Sequence, residues 1–183
     1  MNDRAQVMQA LAALLAYPQE GFAASTEAAA ERLERELPGA REMLQPFLDF
    51  AWTHTVEELQ ENYTSTFEVN PRCCMEIGWQ VYGESYSRGS FLVWMRSVLR
   101  DLGLPESPEL PDHLLHALPI LGAMRAEDAA ELATAMVAPA VRKMAVGLAS
   151  NSDAYEAVLD LVLTALEDLA AGMPEIATEE AVS

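Results

Sequence analysis

The stretch from Ser152 to Ala170 reads SDAYEAVLDLVLTALEDLA. Its apolar residues Tyr155, Val158, Leu159, Val162, Leu166 and Leu169 recur at the three-or-four spacing of one helix face. Ser152 or Asp153 offers a side-chain oxygen to cap the first turn. Nothing in the stretch alternates at period two, so a strand is excluded.

The same signature returns upstream. In MNDRAQVMQALAALLAYP, Met8, Leu11 and Leu15 keep helical spacing. Asp3 beside Arg4, and Gln6 and Gln9 within the apolar run, argue against a signal peptide and for an amphipathic first helix. YPQEG (Tyr17–Gly21) breaks the pattern. STEAAAERLERELPG reads as a second helix, with Ser25 or Thr26 as cap, Glu27 in its first turn and Pro38-Gly39 as its stop. In AREMLQPFLDFAWTH, Pro46 starts or kinks a helix. TVEELQENYTSTFEV begins with the cap Thr55, places Glu57 and Glu58 in the first turn, and aligns Val56, Leu59, Tyr63 and Phe67 on one face. Between Ser87 and Gly103, Phe91, Trp94, Met95, Val98 and Leu102 form another stripe, with Gly103 as the stop. LPESPELP (Leu104–Pro111) reads as loop. A helix starts near PDHLLHAL with Pro111 in its first turn, and Pro119 bends or ends it. A further helix runs from about Glu127 to Ala138, and Pro139 opens the next. FEVN (Phe67–Asn70) is the single hint of a strand. The pattern predicts an all-α, single-domain multi-helix bundle: residues 1–172 form the helical domain and residues 173–183 an acidic, frayed tail.

Charge narrows the function. The chain has 29 acidic against 11 basic residues, a net −18, and Lys143 is its one lysine. Such a surface repels nucleic-acid phosphates and anionic membranes and steers basic partners inward. No run approaches the length of a transmembrane helix, so no direct membrane insertion is expected. The adjacent Cys73 and Cys74 form no disulfide scaffold, and a reducing, cytoplasmic compartment fits them.

NPRCCMEIGWQVYGESYSRGSFLVWMRSVLR (Asn70–Arg100) gathers the chemically distinctive residues. Three chemistries compete to explain this region and the loop after it. His113 and His116 near Glu109 and Asp112 suggest a metal, and hence a small metal-dependent helical enzyme using His113, His116 and Glu109. Neither H-E-x-x-H nor CxxC spacing supports it. A core or boundary His116 and a helix-capping Asp112 are the structural alternatives. Cys73 or Cys74 with His113 suggests a nucleophile pair, but no nucleophile turn is present, and free cysteines are usually small buried hydrophobes. Phosphate-binding loops are absent as well, so no catalytic residue and no cofactor are assigned. The third reading is a binding surface. Trp79, Tyr82, Tyr86 and Trp94 either pack in the core or face a partner. Gly83 and Gly89 allow a turn or a close approach, and the acids nearby suit a basic, partly apolar peptide. Nine methionines add adaptable surface.

These residues together resemble the TorD/DmsD/NarJ superfamily of molybdoenzyme maturation chaperones, most closely its NarJ branch. The resemblance rests on LLAYP, on Tyr63-x-x-x-Phe67, on Tyr82-Gly83 with Arg88-Gly89, on LGLP, and on Glu109-Leu-Pro-Asp112-His113, in that order. APAVRKMAVGLASNSDAYEAVLDLV fits the closing helices. It implies a cytoplasmic, non-catalytic, all-helical chaperone. Such a chaperone binds the basic N-terminal or twin-arginine leader peptide of a molybdopterin-containing oxidoreductase catalytic subunit. It holds that subunit for cofactor insertion and assembly or export. The peptide-binding residues implied are Trp79, Tyr82, Glu84, Arg88, Glu109, Asp112 and His113, with Asp112 and His113 expected at a surface rim. A helical adaptor with no leader-peptide role is the remaining rival.

Overall fold

The computed structural model describes residues 3–148 and 153–171, and these residues contain no β-strand. Helices α1 (Asp3–Leu14), α2 (Phe22–Glu36), α3 (Ala40–Thr53) and α10 (Tyr155–Ala171) close into a ring, each packed on the next. Outside this ring α7 (Leu114–Ala123) lies on α1, and α9 (Ala138–Leu148) on α10. Two more helices extend the bundle: α5 (Ile77–Tyr82) leans on α9, and α6 (Tyr86–Asp101) on α5. Burial explains the order. In α10, Leu161 and Ala165 are buried as well as the predicted stripe from Tyr155 to Leu166, with Leu169 half-buried, so the helix is apolar around most of its girth and sits centrally. α7, LLHALPILGA, is buried along almost its whole length. Gly122 lets it approach α1, since a Cβ there would stand 2.9 Å from Ala5 Cα.

One aromatic hub locks the ring. The Tyr155 ring lies 5.0 Å from Phe47, 4.8 Å from Phe67 and 6.1 Å from Tyr63. Tyr17 meets Tyr63 edge-on at 5.1 Å, and Phe22 meets Phe47 at 6.2 Å. The Tyr63-x-x-x-Phe67 motif is therefore the seam that ties α4 (Val56–Tyr63) and the π-helical turn after it (Thr64–Glu68) to α10, and through Tyr155 to α3.

Capping follows the sequence in places. Thr55 and Glu58 form a full capping box at the start of α4. Thr55→Ala is expected to cost about 1 kcal/mol in urea or thermal melts, and Thr55→Ser nearly nothing. Asp153 caps α10, with Tyr155 N donating to its Oδ1 at 2.9 Å. Ser152, the other cap expected there, and the tail 173–183 lie outside the described residues. At the end of α6, Gly103 has φ +65°, and Leu104 N donates back to Leu99 O, which closes the helix as expected.

Elsewhere the boundaries move. α2 starts at Phe22, not near Ser25, because left-handed Gly21 (φ +81°) turns the chain into the helix. Thr26 is buried inside α2 and bonds Ala23 O. Pro46 does not start its helix and Pro119 does not end its own: both lie inside, in α3 and α7. The helix expected to stop at Ala138 does not stop: α8 (Ala126–Leu132) runs through a π-helical turn (Ala133–Val137) straight into α9. That wider turn sits just before Pro139, whose nitrogen has no proton to donate. FEVN forms no strand, since Phe67 and Glu68 belong to the earlier π turn.

Candidate functional site

At six residues, α5 is too short to be stable alone. Its first amides have no local side-chain cap, and Asp112 supplies one from across the fold. Ile77 N donates to Asp112 O at 3.0 Å, and Gly78 N to Asp112 Oδ2 at 2.9 Å. Leu114 N returns a bond to Met75 O at 2.9 Å, which zips the entry of α5 against the entry of α7. Gly78 fits because it lacks a side chain: a Cβ would stand 2.7 Å from Asp112 Oδ2 and 3.1 Å from Phe91. Three further hooks hold the turn before α5. Trp79 Nε1 donates to Pro71 O at 3.3 Å, and Gln80 Nε2 donates to Arg72 O and Cys74 O. Lys143 of α9 donates to Gln80 O.

This placement corrects the rim assignment of Asp112 and His113. Asp112 is 0% exposed and His113 6%. Asp112 does not cap its own helix either. α7 starts at Leu114, three residues after Pro111, and His113 caps it by accepting from Leu115 N at Nδ1, 3.3 Å away. Burial pushes the Asp112 carboxyl above its usual range, against the bond from Gly78 and the charge of Arg88. Asp112 Oδ1 and Arg88 Nε are both buried without a hydrogen-bond partner.

Burial lowers His113 from 6.5 to about 4, with Glu76 pulling upward and His116 downward. The unfolded chain thus binds a proton near pH 6.5 that the folded chain refuses until about pH 4. Stability from His113 is complete above pH 6.5 and is lost as pH falls toward 4. At 1.4 kcal/mol per pH unit this is about 2 kcal/mol by pH 5. Asp112, shifted the other way, offsets part of it at the acid end. Melting temperature is expected to drop between pH 7 and 5, and His113→Asn, which keeps a capping oxygen, should flatten that drop.

On the outer side α5 and α6 present a run of rings. Tyr82 meets Phe91 at 5.9 Å, and Phe91 stacks on Trp94 at 5.8 Å. Tyr82, Trp94 and Tyr86 are exposed, the last by 93%. The Arg88 guanidinium lies 5.4 Å over Trp79, which is half-buried. Glu84 stands exposed in the turn that Gly83 (φ +59°) allows. Glu109, also exposed, approaches His113 Nε2 at 3.9 Å. The structure thus gathers Trp79, Arg88 and Asp112 around Gly78, sets Tyr82 beside Phe91 and Trp94, and pairs Glu109 with His113. Gly78, Gln80, Phe91 and Lys143 are the contributors that sequence reasoning missed. Gly78 alone left a signal, as a helix-interior glycine that marks a close approach.

The catalytic alternatives meet engaged groups. His116 Nδ1 is bonded to Leu110 O at 3.0 Å, and Ser107 N donates to its Nε2, so this ring staples the proline-rich loop. No group of three metal-ligating side chains gathers among the described residues. Cys73 is buried, accepts from Asn70 Nδ2 and donates to Met144 O. Burial, reinforced by Glu76, pushes the Cys74 thiol up to about 12, so it stays protonated and a poor nucleophile. No helix among the described residues is long and apolar enough to cross a membrane.

Comparison with solved structures finds a likeness of fold to a candidate redox enzyme maturation protein from Archaeoglobus fulgidus. The TM-score is 0.66 at 19% identity, covering 91% of this chain and 96% of that one. Comparison with curated proteins gives no match. Residues 4–155 match the family model described as nitrate reductase delta subunit, and the chain belongs to that family, the NarJ-type branch its motifs resemble.

Proposed function

We propose that the protein is a cytoplasmic, non-catalytic chaperone for a molybdopterin-containing oxidoreductase. On this reading it binds the N-terminal or leader segment of the catalytic subunit and holds that subunit for cofactor insertion and assembly or export. Family membership supports the chaperone role. The observation that carries the site is the pair of exposed rings Tyr82 and Trp94, both packed on the buried Phe91 and mounted on helices latched to the core. Trp79, Tyr82, Glu84, Arg88 and Glu109 form the contact wall. Asp112 and His113 stand behind it as positioning residues, because their burial keeps them from a peptide at the surface.

Calorimetry with the N-terminal peptide of the client's catalytic subunit tests this. Tyr82→Ala is expected to cost about 2 kcal/mol of binding, roughly thirtyfold in Kd. Its melting temperature should fall only modestly, since the ring is 38% exposed and packs on Phe91 along one edge. Wild-type affinity in both Tyr82→Ala and Trp94→Ala would place the site elsewhere. Association should also slow as salt rises, because exposed charges are screened beyond about 8 Å at physiological ionic strength. An on-rate indifferent to salt would assign the net −18 to solubility alone.

A further inference from the structure

A cleft opens between α3, α4 with its π turn, and the start of α10. Its volume is about 850 Å³, larger than the 570 Å³ cleft alongside α6. Met43, Pro46 and Phe50 of α3 give it an apolar wall facing Ala157 of α10. Its other wall is acidic. Asp153, Glu156 and Asp160 follow one another about a turn apart, and no Arg or Lys lines the cleft. Asp153 is engaged in structure, bonded by Thr66 and Tyr155 N. Glu156 and Asp160 have no side-chain partner among the described residues. Asn62 also lines the cleft, and its Oδ1 has no hydrogen-bond partner. Met43, a flexible thioether, is 40% exposed at the lip.

We propose that this cleft docks a cationic amphipathic helix from a partner protein. The three carboxylates span about 10 Å along α10, at 1.5 Å per residue. A helix with Lys or Arg at i and i+4 beside apolar residues presents cations at the same pitch and an apolar stripe for Met43 and Phe50. A small cation would use one carboxylate and leave the apolar wall bare. Two other occupants are disfavoured by charge. The chain's own C-terminal segment carries Glu175, Glu179 and Glu180. In a second copy the most cationic helix is α6, but its Arg96 and Arg100 already pair with Glu106 and its Arg88 covers Trp79. The cleft shares no lining residue with the α5–α6 aromatic surface, so the inference does not depend on leader binding there.

The test is a fluorescence-anisotropy titration of the full chain with a fluorescein-labelled Leu/Lys amphipathic peptide of about four helical turns. The double variant Glu156→Gln/Asp160→Gln is expected to weaken binding about tenfold or more. Glu31→Gln/Glu131→Gln removes the same charge from exposed positions outside the cleft and should change it less than about twofold. Met43→Ser, at the exposed lip, should weaken it about threefold with circular dichroism unchanged. Equal losses in the two double variants would overturn the proposal, since the attraction would then be the net charge alone. A wild-type dimer in sedimentation that Glu156→Gln/Asp160→Gln dissociates would overturn it too, by naming a second copy as the occupant.

Discussion

Truncating Tyr155 to alanine is expected to cost about 3–5 kcal/mol, the range for removing a large buried ring. Tyr155 is 1% exposed and contacts Phe47, Phe67 and Tyr63, so its loss empties the point where α3, the turn after α4 and α10 meet. The aromatic pairs lost add about 0.5–1.5 kcal/mol each in favourable geometry, and the void is not easily refilled from three separate helices. Against a typical domain stability of 5–15 kcal/mol, the variant should sit close to unfolding at 37 °C. Tyr155→Phe keeps the ring and should stay within about 1 kcal/mol of wild type. Tyr86→Ala, which removes an exposed ring, should be almost silent in the same urea melts. A mild Tyr155→Ala would mean that the hub is not where the helices are joined.

That hub shows what the chain's pattern could and could not reveal. Tyr155 and Phe67 were legible as members of amphipathic stripes, because helix periodicity is a local property. Their contact across the fold was not, because no period links positions so far apart in sequence. The same division explains the boundaries. Thr55 with Glu58 is a local reciprocal pair and reads directly. Gly21 starts α2 through a left-handed turn, which a search for Ser or Thr caps overlooks. Asp112 is the sharpest case. After a proline and before an apolar run it has the local signature of a cap for its own helix, and the structure gives that task to His113. Asp112 instead serves a helix whose capped amide lies 34 residues earlier in the chain. The aromatic–glycine stretch was legible as a surface because Gly83 and the polar residues around it interrupt any core stripe. The latch beneath it was not, since it is built from long-range backbone bonds.

The latch yields the second large effect. Gly78→Leu is expected to cost about 4 kcal/mol and to free α5 from the core. Even the first carbon of the new side chain would meet Asp112 Oδ2 at 2.7 Å and Phe91 at 3.1 Å. Overpacking of this kind costs about 1–3 kcal/mol. Relief requires α5 to move, which breaks the bonds from Ile77 N and Gly78 N and leaves a buried carboxylate unsatisfied, a further cost of about 1–3 kcal/mol. Hydrogen exchange of the α5 amides should rise toward that of an exposed loop, while α2 and α3 keep their protection. Client-peptide binding should fall with it, because Trp79 and Tyr82 lose their fixed places. Asp112→Ala removes the same cap without the clash and should cost about 2 kcal/mol. Asp112→Asn keeps an oxygen for Gly78 N and removes a charge that burial disfavours, so its melting temperature should stay near wild type. If Asp112 contacted a client cation directly, Asp112→Asn would instead lose binding while keeping its fold. Normal binding in Asp112→Asn with lost protection in Gly78→Leu is the outcome that the buried position requires.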